Sequence, residues 1–115
     1  VVYHNCGVAR TLYPQYKQLG ITMWETVAAP PQGDNNLAEA KKYFGNDIIL
    51  SGNFDQVHFI KTASPEEVER TAAELMETGK QGGHFIFALS DYLEEGTPVA
   101  NIRALIRGAL SQASY

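Results

Sequence analysis

Residues 47–67, DIILSGNFDQVHFIKTASPEE, decide the fold class of this chain. Residues 47–50 predict a strand, and the unbroken apolar run from Ile48 onward is typical of a strand that is buried on both faces. The polar residues 51–56 predict a loop. Residues 64–67, SPEE, have the capping-box pattern with which a helix begins. A buried strand, a loop and a helix in this order form one β/α unit of a parallel sheet.

The same unit occurs four times along the chain. Apolar, β-prone runs predict strands at residues 1–3, 21–24, 47–50 and 84–89. Apolar residues at helical spacing predict helices at residues 8–19, from a cap at Asp34 or Asn35 to residue 44, at 64–79 and at 97–110. Strict alternation implies a parallel sheet with right-handed crossovers. Four units are half of an eight-fold barrel, which takes about 250 residues, and a small open α/β sheet is the alternative.

The composition limits the possible partners and compartment. The chain has 115 residues, of which 44% are hydrophobic and 19% charged, which suits one modest core. Its net charge of −4 and the lack of a basic run argue against nucleic acid as a partner. No apolar stretch is long enough to predict a membrane span. A single cysteine suits a reducing compartment, so we expect a cytoplasmic protein. Because the chain begins with Val1 inside a predicted strand, we expect one segment, residues 1–115, of a longer domain.

Polar and ionisable residues gather after the predicted strands. In parallel α/β folds, ligands bind at the carboxyl ends of the strands. The residues that fall at this edge are His4, Asn5, Cys6, Glu25, Thr26, Asp34, Asn53, Asp55, Gln56, Ser90, Asp91 and Tyr92. The opposite edge carries mainly glycines, which are typical of helix ends and turns. The sequence therefore predicts a functional site at the carboxyl edge of the sheet.

The pair His4-x-Cys6 is the most chemically suggestive part of this edge. Side chains alternate along a strand, so the imidazole and the only thiol would point to the same side. This arrangement suits two ligands of a zinc ion, or a nucleophile beside its base. Structural roles are the alternatives: His4 could bond a neighbouring carbonyl, and Cys6 could be a small buried side chain. Asp55 could cap a short helix, and Asp91 could bond the turn after it.

Four segments together resemble one family: HNCG at residue 4, GITMWETVAAPPQGDNNLAEAKKYFG at 20, IILSGNFDQ at 48 and GGHFIFALSDYLEEGTPVANIRALI at 82. They are similar to the carboxyl-terminal half of the uroporphyrinogen decarboxylase superfamily, which includes zinc methyltransferases that act with corrinoid proteins. The resemblance implies a TIM barrel of which this chain forms the last four β/α units.

The resemblance also implies roles for individual residues. In the methyltransferase branch, His4 and Cys6 match two zinc ligands, and the position of a third, usually Cys, falls on Asp91, with Glu25 as a substitute. The implied activity is methyl transfer between a small thiol or methyl ether and a corrinoid protein. Catalytic roles then fall on Asp91, Asn53 and Asp55, and substrate-binding roles on Gln56, Tyr92 and Glu25.

Two other functions stay open on the sequence. Decarboxylases of the superfamily carry a His within a Gly-His-Gly turn where this chain has Asp91, and they bind acidic substrates with Arg. Arg10 is a basic residue near the predicted edge. The other possibility is a fragment without catalytic activity of its own. Because a half barrel exposes strand edges and an apolar inner face, we expect the chain to associate with itself or with the remainder of a barrel.

Overall fold

Four parallel strands form one sheet, in the order in which they occur along the chain. The structure is a computed structural model that describes residues 1–114. The strands are β1 (Val2–His4), β2 (Met23–Val27), β3 (Ile49–Phe54) and β4 (Phe85–Leu89). Each strand pairs in parallel with the next one. The predicted α/β class and half-barrel arrangement are confirmed.

Helices connect the strands, as parallel pairing requires. They are α1 (Tyr13–Gln18), α2 (Leu37–Phe44), α3 (Phe59–Thr62), α4 (Pro65–Lys80) and α5 (Val99–Ser111). The capping box that begins α4 is confirmed: the Ser64 hydroxyl accepts from the Glu67 backbone N–H, and the Glu67 carboxylate accepts from the Ser64 N–H at 2.8 Å. This backbone bond lowers the pKa of Glu67. Within residues 1–114, no helix combines the length and the apolar character needed to cross a membrane.

The first two helices differ from the sequence prediction at their amino ends. A short 3-10 turn occupies Arg10–Leu12, and the regular part of α1 begins only at Tyr13, where Pro14 fits the first turn. The cap of α2 is Asn36, whose side-chain oxygen accepts the N–H of Glu39 at 3.0 Å. Asp34 or Asn35 was predicted as the cap, but the Asp34 carboxylate accepts the N–H of Ala9, and the Asn35 amide donates to the backbone oxygens of Gly7 and Ala28.

The third strand is longer than predicted. Ser51, Gly52 and Asn53 were expected in a loop, yet they pair with Ile86, Phe87 and Ala88 of β4. The prediction was wrong because it assigned polar residues to a loop. Polar residues can lie within a buried strand when their side chains find hydrogen-bond partners. The Asn53 amide donates to the backbone oxygens of Val27 and Asn35, at 3.3 and 3.0 Å. The carboxyl end of the sheet is therefore anchored to the loop that follows β2.

The hydrophobic core lies on one face of the sheet. Tyr3, Trp24, Leu50 and Phe85 are register neighbours across the four strands and pack against the helices. A second cluster places Phe54 of β3 among residues of α4 and α5. The opposite face has no such cover within residues 1–114: the side chains of Val2 and Ile86 are 60% and 48% exposed. All the helices thus cover one face, as expected of half a barrel.

The contacts of Asn53 predict the effect of its removal on stability. We expect Asn53→Ala to lower the free energy of unfolding by about 2–3 kcal/mol. Two buried carbonyls would each lose a hydrogen bond worth about 1 kcal/mol. Alanine would also sit at a φ of 81°, which costs L residues other than Gly and Asn about 1 kcal/mol.

Urea denaturation measures this change. Asn46→Ala, at an exposed turn before β3, is the matched control and should change the unfolding free energy by less than about 0.5 kcal/mol. Equal stability of the two variants would show that Asn53 does not anchor the sheet.

Candidate metal centre

His4 and Cys6 lie at the carboxyl end of β1, and Asp91 follows the end of β4. One ring nitrogen of His4, the Cys6 sulfur and one carboxylate oxygen of Asp91 all lie within 4.8 Å of one another. His4 is the last residue of β1, and Cys6 follows two residues later in the loop, so both side chains lie at the same end of the sheet. The curvature of the sheet brings the third, since Asp91 comes from the strand at the opposite edge. Three different metal-ligating groups thus meet at one point.

Core residues on the helical face of the sheet hold the His4–Cys6 segment in place. Trp24 is fully buried, and its indole N–H donates to the backbone oxygen of Asn5 at 3.0 Å. The Asn5 side chain donates to the Tyr16 hydroxyl. Because Asn5 is bound on the core side, its neighbours His4 and Cys6 are left at the solvent side, where both are exposed. The position of the two predicted ligands therefore depends on the packing of Trp24.

A β-bulge in β2 brings two consecutive residues to the same surface. Trp24 pairs with Leu50, but Val27 pairs with Gly52, so β2 has one residue more than β3 in this interval. Thr26 has a φ of 66°, which is rare for a β-branched residue. Trp24 and Val27 stay buried on the helical side, while Glu25 and Thr26 both line a cleft on the other side. Bulges that redirect side chains are common next to active sites.

Glu25 contacts the predicted ligand His4 directly. The Glu25 carboxylate accepts a hydrogen bond from His4 Nδ1 at 2.9 Å. The two side chains are 41% and 52% exposed, so the pair contributes less than about 1 kcal/mol to stability. Its main effect is to set the orientation and tautomer of the imidazole. With Nδ1 held by the carboxylate, Nε2 is the ring nitrogen that is free to bind a metal.

These residues line an open cleft of about 390 Å³. Its lining residues are His4, Glu25, Thr26, Ser51, Ala88, Leu89, Asp91 and Tyr92. In the described part of the chain, the lining includes two carboxylates and neither Arg nor Lys. The Tyr92 side chain is 71% exposed at the cleft, and its backbone N–H donates to the Asp91 carboxylate at 2.8 Å. The cleft is therefore suited to a cation more than to an anion.

Two cleft residues had no predicted role: Ser51, which was not placed at this edge, and Thr26, which was placed there without a role. Ser51 was assigned to a loop, although its alternation with Ile49 along an extended strand would have placed both side chains on the inner face. Thr26 reaches the cleft only because of the bulge, for which the sequence contains no recognisable signal. Both hydroxyls lie beside the predicted ligands and can bond a polar substrate.

Three predicted residues, one near the end of β3 and two after it, are absent from the lining of this cleft. The Asn53 amide is bound to backbone carbonyls, as described above. The Asp55 carboxylate accepts the backbone N–H groups of Val57 and His58, both at 2.9 Å, and so caps the turn before α3. The Gln56 side chain is buried with 1% exposure, and its Oε1 has no hydrogen-bond partner within residues 1–114. Their catalytic and substrate-binding roles stay predictions.

A larger cavity than this cleft lies on the helical side, between α1 and α2. It measures about 650 Å³ and is lined by Arg10, Tyr13, Glu39 and Tyr43 among others. Arg10 pairs with Glu39 at 2.7 Å, and Lys42 is a second basic residue of the lining. Burial, followed by the Asp34 charge, raises the pKa of Tyr13 to about 12, so its hydroxyl stays protonated. Arg10, the basic residue considered for an acidic substrate, belongs to this cavity and not to the cleft of His4.

The donor set at the cleft fits a divalent metal. Zinc takes nitrogen, sulfur and carboxylate oxygen, and catalytic zinc sites use three protein ligands and keep one position open. In a tetrahedral zinc site, ligand atoms are about 3.3–3.8 Å apart. The separations of up to 4.8 Å between His4, Cys6 and Asp91 would reach this range with small side-chain rotations. His4 and Asp91 line the cleft, and the Cys6 sulfur lies within 4.8 Å of both, so the open position would be accessible to a substrate.

Comparisons with known proteins place the chain in a family. The family model for uroporphyrinogen decarboxylase (URO-D) matches residues 1–110. Uroporphyrinogen decarboxylase of Coxiella burnetii (strain Dugway 5J108-111) is 27% identical over 71 residues, which are 62% of this chain and 19% of that protein. The enzyme of the same name from Methylobacillus flagellatus (strain ATCC 51484 / DSM 6875 / VKM B-1610 / KT) is 32% identical over 72 residues, 63% of this chain and 20% of that protein.

A solved structure shares the fold. A methyltransferase from Methanosarcina mazei superposes with a TM-score of 0.78 over 96% of this chain and 30% of that chain, at 19% sequence identity. The matched region is thus about a fifth of the length of the curated relatives and less than a third of the structural neighbour. At this identity the neighbour supports the fold alone. The family match over residues 1–110, together with this fold, shows that the chain belongs to the uroporphyrinogen decarboxylase family.

Proposed function

We propose that this chain supplies the zinc centre of an enzyme that transfers a methyl group between a small thiol or methyl ether and a corrinoid protein. The observation that carries the proposal is the meeting of His4, Cys6 and Asp91 within 4.8 Å. A structural neighbour that is a methyltransferase is consistent with it. A cysteine that acts as a metal ligand must stay reduced, which agrees with a cytoplasmic enzyme.

Each residue of the cleft has a separate task in this proposal. His4, Cys6 and Asp91 hold the metal, and Glu25 orients the His4 ring through Nδ1. When bound, Zn²⁺ would act as a Lewis acid that keeps a thiol as its thiolate or polarises an ether oxygen. Thr26 and Ser51 offer hydroxyl groups to the substrate, and the exposed ring of Tyr92 offers an apolar contact. A corrinoid protein would approach from the open side of this cleft.

The charge of the cleft favours methyl transfer over decarboxylation of a porphyrinogen. Glu25 and Asp91 bring two carboxylates to the lining, which within the described residues has no Arg or Lys. A substrate with several carboxylates would be repelled by them. A divalent cation, in contrast, is neutralised by such groups, and its acidity is tuned by them. The same two residues are therefore unfavourable for one reaction and useful for the other.

Decarboxylation is the second candidate because the two bacterial relatives described above are uroporphyrinogen decarboxylases. It would require no metal at His4 and Cys6. It would also require basic groups from outside these residues to neutralise the substrate. A chain without catalytic activity is the third possibility and would also leave His4 and Cys6 without metal.

The metal proposal makes a direct prediction for Cys6. We expect the purified protein to contain close to one zinc per chain, and Cys6→Ser to lower this content because a thiolate ligand is lost. With Co²⁺ in place of zinc, the wild type should show a sulfur-to-cobalt absorption band that is absent in Cys6→Ser. The chain contains no other cysteine, so the band reports on this residue alone. Unchanged metal content and an unchanged band would exclude Cys6 as a ligand.

The hydrogen bond between Glu25 and His4 predicts a second effect. We expect Glu25→Gln to weaken zinc binding by about 10–100-fold, because a partner of a metal-binding His tunes its basicity and orientation. Folding stability should change little, since the pair is exposed. Glu39→Gln is a matched control, as Glu39 is also exposed and ion-paired but lies at the other cavity. Competition titration with a chelator gives both affinities; equal affinities would show that Glu25 does not act on His4.

The choice between the two reactions is tested by parallel assays on one preparation of the full-length enzyme, because we expect the isolated half barrel to be inactive. One assay follows the cobalt absorbance of a reduced or methylated corrinoid protein with thiol and methyl-ether substrates. The other follows loss of carboxylates from uroporphyrinogen. We expect turnover in the first assay only, and we expect it to be abolished by Cys6→Ser and by chelator. Turnover in the second assay alone, unaffected by chelator, would establish the decarboxylase alternative.

A further inference from the structure

We propose that Asn35 is a positioning residue for the candidate metal centre, because it fixes the loop that carries Cys6 relative to the loop that carries Asp91. The inference rests on the proposed function, since it concerns the same metal ligands. It is carried by a buried network of hydrogen bonds that reaches from the backbone beside Cys6 to the backbone beside Asp91. Asn35 lies at the centre of this network, is 0% exposed and is not part of the cleft lining.

The Asn35 side chain uses both ends of its amide. Its Nδ2 donates to the backbone oxygens of Gly7 and Ala28, at 3.2 and 2.8 Å. Its Oδ1 accepts a hydrogen bond from the Tyr13 hydroxyl at 3.1 Å. The opposite orientation of the amide would put its oxygen against two carbonyl oxygens, which only accept hydrogen bonds. These three contacts therefore hold the side chain in one orientation.

The bond to Gly7 fixes the backbone directly after Cys6. On the other side of Cys6, the backbone oxygen of Asn5 is held by the Trp24 indole at 3.0 Å. Gly7 has a φ of 99°, a conformation that glycine adopts readily and leaves readily. Because the glycine backbone itself imposes little, the turn at Cys6 depends on the contact with Asn35.

The two residues that precede Asn35 bind the same loop. The Asp34 carboxylate accepts the backbone N–H groups of Ala9 and Arg10, at 2.8 and 3.1 Å. At Gly33 the two loops touch so closely that an added Cβ would lie 2.5 Å from the Gly7 oxygen, so a side chain does not fit there. The loop before α2 thus binds the loop after β1 at several consecutive points.

The backbone of Asn35 continues the network into β3. Its oxygen accepts the Asn53 side-chain amide at 3.0 Å, and the same amide donates to the backbone oxygen of Val27 at 3.3 Å. The Ser90 hydroxyl lies 3.5 Å from this Val27 oxygen and is 1% exposed. One polar side chain from β3 and one from the end of β4 therefore converge on the loop that contains Asn35.

The end of β3 then determines where Asp91 lies. The backbone N–H of Ser90 donates to the oxygen of Phe54 at 2.9 Å, which continues the pairing of β3 with β4 by one residue. Ser90 directly precedes Asp91, and Phe54 directly follows Asn53. The loops of two candidate ligands are thus connected through Asn35 and Asn53 by buried hydrogen bonds.

The removal of Asn35 would loosen this connection. The Gly7 and Ala28 oxygens would lose their donor, and buried carbonyls without a partner drive a loop to rearrange or to admit water. Metal sites tolerate little of such movement, since ligands that are about 1 Å out of place no longer form a tight site. Asn35 would therefore affect metal binding without touching the metal.

Two variants of the full-length enzyme test the proposal. We expect Asn35→Ala to raise the zinc Kd by about tenfold or more, as the loss of supporting groups around metal ligands typically does. The ligand-field bands of bound Co²⁺ should change as well, because they report the coordination geometry. Tyr13→Phe removes only the hydroxyl that holds the Asn35 oxygen. It should raise the zinc Kd less, in the same direction, and it keeps the buried ring.

Two control variants separate positioning from general stability. Ile60→Ala creates a cavity in the second hydrophobic cluster, where Ile60 is 0% exposed. It should lower the urea midpoint while the zinc Kd and the cobalt spectrum stay as in the wild type. Tyr43→Phe removes a hydroxyl from the neighbouring ring, 5.3 Å from Tyr13, and should leave both metal readouts unchanged. A loss of zinc affinity in Ile60→Ala equal to that in Asn35→Ala would overturn the proposal.

Hydrogen exchange of the metal-free enzyme gives a readout that requires no metal. We expect Asn35→Ala to speed the exchange of backbone amides in residues 7–10, and Ile60→Ala to leave them as in the wild type. Unchanged exchange in Asn35→Ala would overturn the proposal, and so would a zinc Kd and a cobalt spectrum equal to those of the wild type. Faster exchange in an enzyme whose wild type binds no zinc would support the role of Asn35 in fixing the loop, while the proposed function alone would fail.

Discussion

The hydrogen bond from the Trp24 indole to the backbone oxygen of Asn5 is the contact on which the rest of the structure depends. Trp24 lies at the centre of the core, with ring centroids of Tyr16, Tyr13 and Phe44 at 5.0, 5.8 and 6.1 Å. The residue therefore joins β2 to α1 and α2 and, through Asn5, to the end of β1. Because His4 and Cys6 flank Asn5, the geometry of the candidate metal centre follows from the packing of an aromatic cluster on the opposite face of the sheet.

The bulge after Trp24 shows how the fold accommodates strain beside this centre. Thr26 has a left-handed backbone conformation, which costs a β-branched residue about 1–3 kcal/mol. The surrounding contacts impose it, because Trp24 and Val27 on either side are both fully buried. Shortening β2 by one residue would relieve the strain, but it would remove Glu25 or Thr26 from the cleft. The extra residue of the bulge thus causes both the strained backbone at Thr26 and the position of the polar side chains in the cleft.

The electrostatics of the cleft bear on the choice between the two candidate reactions. Asp91 and Glu25 face the same space, and mutual repulsion of their carboxylates is relieved most directly by a cation between them and His4. Under the proposed function, Asp91 would be the third zinc ligand, the position where the resemblance implies a Cys in the methyltransferase branch. Oxygen is a harder ligand than sulfur, so a zinc ion in this site would be a stronger Lewis acid than one with two thiolates.

The sequence by itself determined the order of strands and helices, the capping box at Ser64 and the edge at which the polar residues collect, because these depend on local periodicity and on hydrogen bonds between near neighbours. It also predicted His4, Cys6 and Asp91 as metal ligands, by strand alternation for the first two and by family resemblance for the third; the structure brings these side chains together, and their role as ligands stays a prediction. Only the tertiary structure decided which polar residues reach the cleft. Ser51 and Thr26 lie there, while Asn53 and Asp55 bond to backbone groups elsewhere. The physical reason is that strand length and the bulge depend on pairing between residues far apart in the chain, and on buried polar side chains finding partners there.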